Sequence, residues 1–92
     1  MTAAVVLPAV LDLRAAASLK SELLARRGGP LTLDASGVER LGGLSLQVLL
    51  SALKTWAADG CALTIAPASE AFADQCRAFG AVSLTAAIGE PA

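Results

Sequence analysis

Apolar residues along the chain switch between two spacings, and the switches predict the order of elements. Residues 3 to 11, AAVVLPAVL, gather β-branched valines around Pro8, which cannot donate a ladder hydrogen bond. They predict an edge strand, or two short strands with a bend between them. The next stretch, LDLRAAASLKSELLARRGG, predicts a helix over about residues 14 to 27. Leu19, Leu23 and Leu24 follow helical spacing, Arg26 and Arg27 suit the negative end of the helix, and Gly28-Gly29 stops it.

PLTLDAS, residues 30 to 36, predicts a short strand ending in turn residues. After Gly42-Gly43, the positions Leu46, Leu49, Leu50, Leu53, Trp56 and Ala57 keep an i, i+3, i+4, i+7 pattern. They predict an amphipathic helix to about Ala58, closed by Asp59-Gly60. CALTIAP, residues 61 to 67, predicts a third strand, and PASEAFADQCRA, residues 67 to 78, a third helix. Ser69 is placed to cap that helix, with Phe72, Cys76 and Phe79 on one face. The tail from Gly80 to Ala92 predicts a short strand or a helical turn followed by a frayed end. Strands alternating with helices across short loops imply a βαβ-rich α/β domain, with right-handed crossovers and a mostly parallel sheet.

Composition narrows the function. Ninety-two residues make one domain, near the lower size at which a single core suffices, so a docked partner or self-association would help stability. The chain is 55% hydrophobic but only 3% aromatic, so the expected core is Ala, Leu and Val with one Trp and two Phe. Net charge is −1 and the only basic run is Arg26-Arg27, which argues against a nucleic-acid partner. There is no histidine, and Cys61 and Cys76 lack ligand spacing, so neither a metal cage nor a His-assisted nucleophile can be assembled. No cofactor is expected, and the thiols read as reduced residues of a cytoplasmic protein. The segment MTAAVVLPAVLDLR has no positive n-region, and no stretch approaches the roughly 18 to 20 apolar residues of a membrane span, so no direct membrane insertion is expected. A homodimer is compatible with so aliphatic a small domain.

The block with most information is LTLDASGVERLGGLSLQVLL, Leu31 to Leu50. An apolar strand, then D-x-S-x-V, a short junction and L-Q-x-L-L fall without a gap at Asp34, Ser36, Val38, Leu46, Gln47, Leu49 and Leu50. CALTIAPASEAFADQCRAFGA follows as a strand, a small-residue turn and a helix ending at Gly80. In this order and spacing the sequence resembles the STAS family. Its small α/β domains include bacterial anti-sigma-factor antagonists, the STAS subunit of lipid-transport ABC systems and the cytosolic tails of sulfate transporters. The resemblance covers most of the chain and implies a STAS-like sandwich over residues 1 to 92, with an about four-stranded, mostly parallel sheet against three to four helices.

In that family the strand-to-helix junction usually reads Asp, then Ser or Thr, then a small residue, then Gly, and the hydroxyl is phosphorylated in the antagonists. Ungapped alignment puts Gly42, Gly43, Leu44 and Ser45 at those positions, so this chain departs at all four. Glycine has no side chain, so Gly43 cannot accept a phosphoryl group and Gly42 cannot supply the carboxylate. Ser45 is the nearest hydroxyl, two residues on. It reads as a helix N-cap or first-turn residue satisfying a backbone N–H, with a displaced phosphosite as the alternative.

The glycines form neither a P-loop, because Gly43-Leu44 and not Lys-Ser follows, nor a dinucleotide fingerprint, because G-x-G-x-x-G is missing. Asp34 has no histidine, lysine or second acid at useful spacing, so it reads as a cap for the loop carrying Ser36 and Gly37, not as a catalytic acid. Trp56 shares a stripe with Leu49 and Leu53 and reads as packing. The resemblance therefore implies a non-catalytic bacterial interaction module contacting its partner through residues 36 to 50. The contact set is Ser36, Glu39, Arg40, Gly42, Gly43, Leu44, Ser45 and Gln47. The expected partner is an anti-sigma factor or another signalling kinase; the alternative is the ATPase subunit of a lipid-transport ABC system.

Overall fold

A computed structural model describes residues 3 to 89. Its elements run β1 (Ala3–Val6), β2 (Val10–Leu11), α1 (Leu13–Ala25), β3 (Leu31–Ala35), β4 (Arg40–Leu41), α2 (Gly43–Ala58), β5 (Leu63–Ala68), α3 (Glu70–Ala78) and α4 (Val82–Ala87). The α/β class and parallel pairing follow the expectation, while the strands are divided between two ladders. One sheet has the order β1-β3-β5, all parallel; β2 and β4 form a separate parallel pair. Pro8 is where the first apolar run divides. The Leu7 N–H still donates to the Asp34 carbonyl at 2.9 Å, the bend follows, and Val10-Leu11 then pair with Arg40-Leu41.

Central β3 shows why its alternation matters. Leu31, Leu33 and Ala35 are buried toward the helices, whereas Thr32 and Asp34 are half-buried. Leu49 and Trp56 of α2, Leu19 and Leu23 of α1, Ile65 of β5, and Phe72 and Cys76 of α3 join the same core. Each fully buried leucine in it contributes about 1.5–3 kcal/mol. Asp12, which in the sequence merely interrupts an apolar run, is the N-cap of α1: its Oδ1 accepts from the Ala15 N–H at 3.0 Å. Gly28, at φ +98°, takes the left-handed turn that ends the helical stretch.

Several details depart from the expected pattern. Leu24, placed on the apolar stripe of α1, is 57% exposed. Strand β5 continues past Pro67 to Ala68, because the register steps from Leu33↔Ile65 to Ala35↔Ala68, leaving an extra residue at a bulge where proline's missing N–H breaks no ladder bond. Helix α3 consequently starts at Glu70, with Ser69 as the expected cap accepting from the Phe72 N–H. Phe79 becomes its C-cap residue and is 50% exposed, since the helix stops before returning that side chain to the core. The tail takes the helical reading as α4, and the strand alternative is reduced to one isolated parallel bridge from Ile88 to Ile65. The frayed end expected for residues 90 to 92 lies outside the described residues. No described helix is long and apolar enough to cross a membrane.

Candidate functional site

Two strand-to-helix transitions run side by side, and the candidate surface is built on them. The β2-β4 register brings Leu11 opposite Leu41, after which Asp12 and Gly42 begin α1 and α2 as their N-caps. The Gly42 N–H donates to the Leu11 carbonyl at 2.8 Å. A Cβ added at Gly42 would lie 2.9 Å from that same carbonyl oxygen, a backbone atom that cannot swing aside. Residue 42 is thus glycine because two backbones meet there. Gly43, one residue on, is exposed and an added Cβ would meet nothing within 4 Å.

Ser45 corrects the expectation drawn for it. Gly42 is the N-cap of α2 and makes no side-chain capping bond; the Ser45 hydroxyl satisfies no N–H but donates to the Asp12 carbonyl at 3.2 Å. At 0% exposure it ties the first turn of α2 to the start of α1 and offers no surface to a partner or a kinase.

The segment before α2 is held from both sides. The Glu39 and Arg40 N–H groups donate to the Ala9 carbonyl at 2.7 and 3.2 Å. From α3, the Gln75 amide accepts from the Leu41 N–H at 2.6 Å and donates to the Glu39 carbonyl at 3.0 Å, imitating a neighbouring strand. Ser69 donates from Oγ to the Val38 carbonyl, and Val38 itself is buried. The backbone of Glu39 and Arg40 is therefore fixed while their side chains remain exposed. The supporting role of Gln75 was not read from sequence. Its signal is a polar amide directly before the buried Cys76 of an amphipathic helix. Burial pushes the Cys76 thiol up, against the opposing charge of Arg77.

Ser36 stands on the turn after β3, where the Asp34 Oδ1 accepts from its N–H at 2.9 Å and from its hydroxyl at 2.6 Å. Those bonds, the hydroxyl's first, hold the Asp34 carboxyl below its usual range. This is the loop-capping role expected of Asp34. A carboxylate with a lowered folded pKa stabilises the fold above its unfolded pKa, and that contribution is lost as pH falls through the folded value. Replacing Ser36 by Ala is expected to raise the Asp34 titration midpoint toward the ordinary aspartate range in a carbon-detected NMR titration. A midpoint that does not move would refute the assigned cause.

The residues expected from sequence to meet a partner thus divide by accessibility. Ser36, Glu39, Arg40, Gly43, Leu44 and Gln47 are exposed, Gly42 is half-buried and Ser45 is enclosed. Leu44 and Gln47 turn toward a cleft between α1 and α2 that is also lined by Lys20, Leu24, Val48 and Trp56. Arg27 and Asp59 close one end of this helix pair through two hydrogen bonds of 3.0 Å, which lower the Asp59 pKa and raise that of Arg27. No group of three or more potential metal ligands occurs among the described residues. The arrangement offers a fixed, mixed polar and apolar surface with no convergent acid, base or nucleophile.

No curated protein and no solved structure matches the chain. A family model does, described as "Mlab, STAS domain", over residues 2–85. That span contains both strand-to-helix transitions, the parallel sheet and the junction at Gly42-Gly43, so the match rests on the whole of the fold that carries the surface, and the chain belongs to the STAS domain family.

Proposed function

We propose that this STAS domain is a non-catalytic module that binds a regulatory protein through Glu39, Arg40, Gly43, Leu44 and Gln47, without a phosphorylation switch at the junction. STAS domains are in general interaction modules, and an anti-sigma factor or related signalling kinase is the partner this reading favours. The observation that carries it is the state of the junction: the open position holds Gly43, and the nearest hydroxyl, on Ser45, is buried and bonded to the Asp12 carbonyl. A phosphoryl group there would bring about two negative charges. With no acceptor, affinity is set by the surface alone.

The test is calorimetric titration against a purified kinase or anti-sigma factor encoded beside the gene. Arg40→Glu is expected to weaken binding about tenfold, as loss of a well-placed interfacial charge does, while Val82→Asp on α4 leaves it unchanged. Equal affinities for the parent and Arg40→Glu would sink the assignment. A second reading makes the protein a permanent accessory subunit on the ATPase of a lipid-transport ABC system. The apolar side of the surface, Leu44 beside Leu24, favours it, because obligate contacts are more hydrophobic than switched ones. Stable co-purification with an ATPase and permease would decide for it.

A further inference from the structure

The α1-α2 cleft has a floor of one chemistry and a rim of another. Leu24 of α1 and Leu44 of α2 are 57% and 49% exposed, on facing helices, and line the cleft together with half-buried Val48, while the buried Trp56 closes it from beneath. The polar lining is neutral except for Lys20, and no aspartate or glutamate lines it. The nearby acids are committed elsewhere: Asp59 to Arg27 at 3.0 Å, and Glu22 to Arg26 at 3.5 Å on another row of α1. In a chain of net charge −1, this cleft is lined by one cation and no acid around an apolar floor.

Shape restricts what can occupy it. From Leu44 to Trp56 the groove follows α2 for about 18 Å at roughly 1.5 Å per residue, the length of three helical turns. The floor is made of helix side chains and presents no free strand edge, so an extended segment would lay unpaired N–H and C=O groups on leucine. A helix bonds its own backbone and presents only side chains. A second copy docked through the same cleft about a two-fold axis would bring the two Lys20-bearing rims together, with no acid in either cleft to oppose them.

We propose that the α1-α2 cleft receives an amphipathic helix of the protein partner, its apolar stripe seated on Leu24, Leu44 and Val48 and its acidic flank set against Lys20. The proposal rests on the reading that residues around the start of α2 form the partner surface, and it extends that surface onto α1. Trp56 is the chain's only tryptophan and lies under the cleft, so its fluorescence reports a change in the packing of the residues above it.

Two synthetic helical peptides test it on the full chain. Both carry leucines at i, i+3, i+4 and i+7; one is flanked by glutamates, the other by lysines. The acidic peptide is expected to give a saturable Trp56 response at least about tenfold tighter than its basic twin, with the difference shrinking at 1 M salt. Lys20→Glu is expected to reverse the preference, and Leu24→Glu to weaken both peptides about tenfold or more. No response to the acidic peptide, or equal affinity for both, overturns the proposal. With the neighbour-encoded partner, the two readings separate. Binding lost in both Arg40→Glu and Leu24→Glu supports the cleft; loss in Arg40→Glu alone leaves the partner surface standing without it; loss in neither removes both.

Discussion

Trp56→Ala is expected to destabilise the domain by about 3–5 kcal/mol, the usual cost of emptying a buried tryptophan site. Trp56 is 2% exposed and packs in the central core. Its indole N–H also donates to the Gly29 carbonyl at 2.9 Å, fastening the last turn of α2 to the turn between α1 and β3. The variant therefore loses core volume and leaves a carbonyl without its partner. Domains of this size are stable by only about 5–15 kcal/mol, so a large fraction of the total goes. Urea unfolding followed by far-UV circular dichroism is the suitable measurement, since the variant has no tryptophan to report. Trp56→Phe keeps most of the packing and is expected to lose less than half as much. A Trp56→Ala midpoint equal to the parent's would show that α2 does not pack as described.

Much of this fold was legible because apolar spacing and chain breakers agreed. Gly28, Gly60 and Gly80 all take the positive φ that ends a helical segment, and each follows a stretch whose pattern already predicted a helix. Ser69 caps as expected because a serine before a first-turn acid has few other uses. What stayed hidden depends on residues distant in sequence. Nothing local to LGGLS shows that residue 42 abuts the Leu11 carbonyl, that Ser45 reaches the Asp12 carbonyl, or that Gln75 braces Glu39 and Leu41. Those contacts follow from the β2-β4 pairing, which occupies only two residues of each strand and is too short to leave a periodic signal. Leu24 was misjudged for a related reason: periodicity marks an apolar residue as core-facing even where, as here, it lines an open cleft.

The glycine pair is expected to respond asymmetrically to introduction of the aspartate and serine that the resemblance places at this junction. Gly43→Ser should change stability by less than about 0.5 kcal/mol in the destabilising direction, since the position is open and serine is a better helix residue than glycine. Gly42→Asp should cost about 1–3 kcal/mol, the range for overpacking, because its Cβ would press to 2.9 Å on the Leu11 carbonyl oxygen. Relief requires β4 to move away from β2, stretching the 2.8 Å bond from the Gly42 N–H and disturbing the Asp12 cap beside it. The double variant should cost nearly what Gly42→Asp costs alone. Thermal unfolding of the three variants measures this, and equal losses at both positions would contradict the side-by-side placement of the two helix starts. The asymmetry also separates the two halves of the junction functionally. If the kinase of a related pathway phosphorylates Gly43→Ser without the aspartate, a hydroxyl at position 43 is sufficient for recognition, as the proposed loss of a switch requires. If it phosphorylates none of the variants although all of them fold, recognition by such a kinase is absent and the partner belongs to another class. Gly42 then reflects only the close approach of two backbones, and its identity carries no regulatory meaning.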